Sequence, residues 1–179
     1  MKFILIAMAA FLTALPATAQ TISLRPGETV TLRFDNGQAI VESAAAAEPI
    51  GEYDVYAVWR AESQDVPPGI KTVPPTFLGR GEGPPDMPRP VPDRIQLTMR
   101  DVPGPVPASP NHTVLIIANG YASKFGYRAA MHVSGRVSST DVCELPPNMR
   151  GIEHWPYVID ELEISELRLD QPTTDVSCQ

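Results

Sequence analysis

The run His112, Thr113, Val114, Leu115, Ile116, Ile117 and Ala118 constrains the fold more than any other stretch of this chain. It is the most continuously apolar run outside the first twenty residues. A segment apolar on both sides has no face to give to water, so it belongs at the centre of a sheet. Residues 119–124 supply a turn, and the run Phe125, Gly126, Tyr127, Arg128, Ala129, Ala130, Met131, His132, Val133 alternates. Together the two arms read as a β-hairpin over residues 111–133, the nucleus around which other strands assemble.

Those strands are short and well punctuated. Thr29 to Phe34 alternate, with Val30, Leu32 and Phe34 on one face. Asn36-Gly37 then marks a hairpin, because a type I′ turn needs positive φ at both central residues. Residues 53–60, rich in aromatic and β-branched side chains, read as a further central strand. Ile95, Leu97 and Met99 share one face of the next segment, and Gln96, Thr98 and Arg100 the other. In the last segment Leu162 and Ile164 change parity with Leu167 and Leu169, so a strand there needs a bulge near Ser165 and Glu166. These elements predict an all-β fold, an antiparallel β-sandwich of immunoglobulin-like or related Greek-key form.

Thirteen of the 20 prolines fall between Pro67 and Pro110. Proline removes a backbone donor and forbids a regular ladder, so residues 61–92 are expected to form a long proline-rich loop. A loop of that length is a candidate for recruitment of a partner or for a plain surface excursion.

The compartment follows from the N-terminus. Lys2, the apolar run from Phe3 to Leu15, and Ala17-Thr18-Ala19 have the three-part layout of a secretory signal peptide over residues 1–19. A single domain over residues 20–179 is expected to remain, periplasmic or secreted, with no membrane span after cleavage. Losing Lys2 takes the basic count from 14 to 13 against 21 acids, so the formal charge moves from −7 to −8. Such a balance repels nucleic acid and anionic lipid. Two cysteines in an oxidising compartment predict one disulfide, Cys143 to Cys178, closing a loop that the chain-entropy model credits with roughly 3 to 4 kcal/mol.

The chain has no G-x-S-x-G, H-E-x-x-H, Gly-rich phosphate loop or EF-hand pattern, the usual sequence signs of catalysis or of calcium binding. Its chemistry-bearing residues are sparse. If Ala118 pairs with Gly126, the hairpin places His112 directly opposite His132 and leaves Leu115, Ile117, Phe125, Tyr127, Ala129 and Met131 facing the core. A register shifted by one residue makes the histidines diagonal neighbours instead. An adjacent pair, with Met131 or Met149 and His154 nearby, would suit copper, which imidazole and thioether both ligate.

A second candidate lies between the cysteines. Arg150, Glu153, His154, Trp155 and Tyr157 have the composition of an interaction hot spot for a protein or envelope component. The competing expectation is that Trp155 folds back as a plug over the end of the sandwich. Asn119-Gly120-Tyr121, Tyr127-Arg128-Ala129, Cys143, Pro146-Pro147, Gly151, Glu153, Trp155-Pro156 and Ile159 form a pattern that resembles small exported proteins of alphaproteobacteria with no assigned function. The resemblance covers the C-terminal third and carries no activity over. The expectation from sequence is therefore a non-catalytic exported binding module. A periplasmic copper-binding protein using His112, His132 and Met131 is the first alternative, and a hydrolase of unrecognised type the second.

Overall fold

Alternating apolar positions become strands when each apolar face finds another to bury against, and here two sheets supply each other's cover. The computed structural model describes residues 20–62, 89–104 and 109–178. The expected signal peptide and most of the expected proline-rich loop lie outside the described residues. In chain order the elements are β1 (Ile22–Leu24), β2 (Glu28–Asp35), β3 (Gln38–Ala46), α1 (Glu52–Glu62), β4 (Ile95–Pro103), β5 (Asn111–Asn119), β6 (Lys124–Val133), β7 (Arg136–Thr140), β8 (Arg150–Trp155) and β9 (Glu161–Asp170). One sheet has the order β1-β9-β6-β7, the other β3-β2-β4-β5-β8, and the pairings within each are antiparallel. The chain is thus an all-β sandwich with one helix among the described residues.

The core between the sheets contains Leu32, Ile95, Leu97, Met99, Leu115 and Ile117 from one side and Phe125, Tyr127, Leu162 and Ile164 from the other. Burying a side chain of this size contributes about 1.5 to 3 kcal/mol. The parity expected for β4 holds, since Ile95, Leu97 and Met99 are fully buried. The turn between β2 and β3 is also as expected: Asn36 and Gly37 have φ of 49° and 79°. In β9 the ladder to β6 shifts register between Gly126 and Arg128, and Glu166 lies at φ 51°. That irregularity restores parity, so Leu167 and Leu169 pack on the same core as Leu162 and Ile164.

Two expectations are corrected. Residues 53–60 form part of α1, not a strand. Asp54 Oδ2 accepts the Gly51 N–H at 2.7 Å, a carboxylate in the first turn reaching back to the residue before the helix. Tyr53, Asp54, Ala57 and Val58 are buried, a spacing that fits a helical face and not an alternating strand. The aromatic and β-branched composition favoured a strand, and the helix cap with one well-packed face outweighs it.

The second correction concerns residues 111–133. β5 and β6 do not pair: β5 lies between β4 and β8 in one sheet, and β6 lies between β9 and β7 in the other. The connection crosses the sandwich. Buried Asn119 organises the crossing, donating from Nδ2 to Ser123 O at 2.9 Å and Pro146 O at 3.0 Å and accepting the Tyr121 N–H at 2.9 Å. Leu115 and Ile117 meet Phe125 and Tyr127 face to face across the core. That arrangement buries the same residues as a side-by-side hairpin would, so the alternation alone does not separate the two.

β5 is still the central, doubly covered strand that its composition predicts. Its outer face, with Val114 and Ile116, packs with Val102 of β4 under Tyr53, Ala57 and Val58 of α1. The helix covers the side of the five-stranded sheet that faces away from the other sheet. It therefore brings its own polar residues to that outer face.

Candidate metal centre

On the outer face of the five-stranded sheet, side chains alternate outward as His112, Val114, Ile116 along β5 and as His154, Ile152 along β8. Val114 pairs with His154. His112, two residues before Val114, is therefore the diagonal neighbour of His154 on the same face. The two imidazoles meet: His112 Nδ1 lies 2.9 Å from His154 Nε2, with ring centroids 5.1 Å apart and planes inclined by 41°.

Glu62, the last residue of α1, completes the group. Its Oε1 lies 3.7 Å from His112 Nδ1 and 3.7 Å from His154 Nε2. These separations exceed a hydrogen bond. The side chains retain 5% (His112), 13% (His154) and 24% (Glu62) of their exposure, so the group is sheltered with its opening on the glutamate side. Burial pushes the His112 imidazole below its ordinary pKa, against a smaller opposing pull from Glu62, which favours the neutral ring. A neutral imidazole has one lone-pair nitrogen, so the 2.9 Å contact is an N–H···N hydrogen bond, and an ion bound to both facing nitrogens would take the place of its proton.

The geometry fits one ion. A point equidistant from three atoms with these separations lies about 2.0 Å from each, close to the roughly 2.0 to 2.2 Å bonds that zinc makes to imidazole nitrogen and carboxylate oxygen. The helix supports the same reading. α1 carries Glu52 and Asp54 in its first turn and Arg60 in its last, each complementing the macrodipole. Glu62 is a carboxylate at the negative end, where a cation offsets its charge.

The other residues singled out from sequence fall elsewhere. His132 is on β6 in the opposite sheet, so it does not meet His112; the expected pair is replaced by His112 with His154. His132 stands opposite Glu161, with Nε2 3.4 Å from Glu163 Oε1. Although these three also cluster, Glu161 is engaged by the Arg25 guanidinium at 2.9 Å, which already supplies the cation there. Met131 packs against the inter-sheet core, and its sulfur accepts the Tyr157 hydroxyl at 3.4 Å. It cannot join His112, and neither can Met149, whose carbonyl accepts the Asn119 N–H at 2.8 Å at the far end of β5; the donor set therefore becomes two nitrogens and one oxygen. Such a set suits Zn2+ or Cu2+.

Of the expected interaction loop, Trp155 is 6% exposed and belongs to the core, donating from Nε1 to Thr140 Oγ1 at 2.8 Å. Burial, not display, is its place. Glu153 points inward as well: its Oε1 accepts the Cys143 N–H at 2.8 Å and the Tyr127 hydroxyl at 3.2 Å. Burial raises its carboxyl above the ordinary range. Arg150 reaches Tyr53 of α1, and Tyr157 alone of the five is exposed. No contiguous hot spot forms from these residues.

The disulfide forms as expected between Cys143 and Cys178, with Cα atoms 4.0 Å apart. Beside it, buried Glu144 accepts from Lys124 Nζ at 2.6 Å, Arg168 at 2.8 Å and the Ser177 N–H at 3.1 Å. These bonds, with Lys124 the largest contribution, hold its carboxyl at about 2. Together the bridge and this ion cluster fasten the C-terminal segment.

Glu62 has no sequence signal of its own, because residues 53–60 read as a strand and residue 62 as part of the loop after it. The usable signal is Asp54, placed to cap at Gly51, together with Tyr53, Ala57 and Val58 at helical spacing. No protein-family model, curated protein or solved structure matches the chain, so the site stands on its own geometry.

Proposed function

We propose that this protein is an exported metal-binding domain that holds one divalent transition-metal ion, zinc or copper(II), between Glu62, His112 and His154. The observation that carries the reading is the convergence of three donor atoms on a single point at bonding distance from each. Two neutral imidazoles and one carboxylate leave a divalent ion with one net positive charge. Export is supported by the signal-like N-terminus of the sequence and by the disulfide, which persists in oxidising compartments. Among the described residues no helix is long and apolar enough to cross a membrane.

The test is metal content of the purified protein after loading with Zn2+ or Cu2+ and exhaustive dialysis. One ion per chain is expected in the wild type. His112→Ala, His154→Ala and Glu62→Gln lose it while keeping the circular dichroism of the folded sandwich, and His132→Ala retains it. Wild-type protein without stoichiometric metal overturns the reading. So does metal that survives the double substitution of His112 and His154.

A further inference from the structure

We infer that the ion held by Glu62, His112 and His154 keeps an exchangeable coordination position, which takes a small anionic Lewis base. This rests on the metal reading above and deepens it. Among the described residues, no fourth histidine, cysteine, aspartate or glutamate joins the group. Closed structural zinc sites have four protein donors, whereas three leave a position for solvent or a ligand.

The shape of the triangle says where that position lies. Because the three donor atoms are all about 2.0 Å from their common centre, bonds of roughly 2.1 Å place the ion within about 0.6 Å of the donor plane. An ion held that close to the donor plane would be uncovered by protein donors along the axis normal to it. Glu62 is the most exposed of the three, so solvent reaches the group past its carboxylate, while both histidines are more sheltered. The single net positive charge left by the donor set favours an anion over a neutral donor, and the sheltered setting strengthens that preference relative to open water.

Cobalt(II) provides the readout, since its visible absorption reports coordination number and ligand exchange. The full-length mature protein is loaded with Co2+ and titrated with sodium azide, with sodium chloride as the ionic-strength control. A saturable change in the visible bands with azide, absent from the control and absent when Co2+ is free in buffer, supports an exchangeable position. Stoichiometric Co2+ whose spectrum does not respond to azide overturns this inference and leaves the metal reading standing. Failure of the wild type to take up Co2+, Zn2+ or Cu2+ overturns both.

Discussion

Val114 stands directly opposite His154 across the β5–β8 ladder. That pairing sets which face of β8 carries a histidine to α1. Were β8 displaced by one residue, Glu153 would turn outward and His154 inward, and no imidazole would remain beside His112. The proposed metal centre is thus a property of strand register as much as of residue type. Binding the ion should therefore stabilise the fold that creates it. At a free Zn2+ concentration 100 times the dissociation constant, the expected gain is about 2.7 kcal/mol, seen as a rise in the thermal midpoint. His154→Ala and Glu62→Gln should lower affinity by more than the roughly 10- to 100-fold that changes outside the ligand shell produce. Differential scanning fluorimetry with and without metal checks both.

Glu144 provides a pH signature independent of the metal. Its carboxyl titrates at about 2 in the folded protein against an ordinary value of 4.5. A folded pKa below the unfolded one contributes stability that is complete above about 4.5 and is lost as the pH falls toward 2. Glu144→Gln should therefore be less stable than wild type at neutral pH, with the gap closing across that interval. Urea unfolding at a series of pH values measures it.

The disulfide acts on the same segment by a different route. Cys143 and Cys178 enclose 35 positions of sequence separation. Replacing both with serine is expected to cost roughly 3 to 4 kcal/mol in denaturant unfolding. Hydrogen exchange should rise first at Ser177, whose N–H is bonded to the Glu144 carboxylate and whose carbonyl accepts the Glu144 N–H.

Two glycines should respond differently to a methyl group. A Cβ at Gly120 would lie 1.7 Å from the Val91 carbonyl oxygen, so backbone must separate from backbone. At Gly126 the nearest atoms belong to the Arg168 guanidinium, 2.6 Å away, the far end of a long side chain that can shift while its pairs with Glu144 and Asp170 adjust. Gly120→Ala should cost about 3 kcal/mol or more and Gly126→Ala about 1 kcal/mol. Thermal unfolding of the two variants ranks them.

Trp155→Phe tests the plug. The substitution keeps an aromatic ring in the core and removes the bond from Nε1 to Thr140. A loss of about 1 to 2 kcal/mol is expected, with metal uptake unchanged because Trp155 and His154 face opposite sides of β8.

Much of this arrangement can be read from the sequence where a local rule decides it. Asn36-Gly37 specifies its own turn, the alternation of Ile95, Leu97 and Met99 specifies which face is buried, and the parity change around Ser165 and Glu166 demands the bulge that β9 contains. What the sequence conceals is partner choice. β5 and β6 alternate correctly for a hairpin and equally for two strands facing each other across a core, so chain proximity alone points His112 toward His132. His154 becomes the partner only once β5 and β8 pair across an intervening 30 residues of sequence between their nearest ends. Glu62 enters only once Tyr53, Ala57 and Val58 are recognised as one face of a helix. Three elements distant along the chain supply one donor each, which no local motif can announce.

Ile22 pairs with Ile164, joining the first strand of the sandwich to the last. A growing chain cannot close the four-stranded sheet until β9 has been made, and β1 has no strand partner in that sheet until then. The β2–β3 and β6–β7 hairpins can form early, but closure depends on contacts of the longest sequence separation, the kind that slow folding most. Such a chain remains threadable as an open polymer for longer than one built from successive local units.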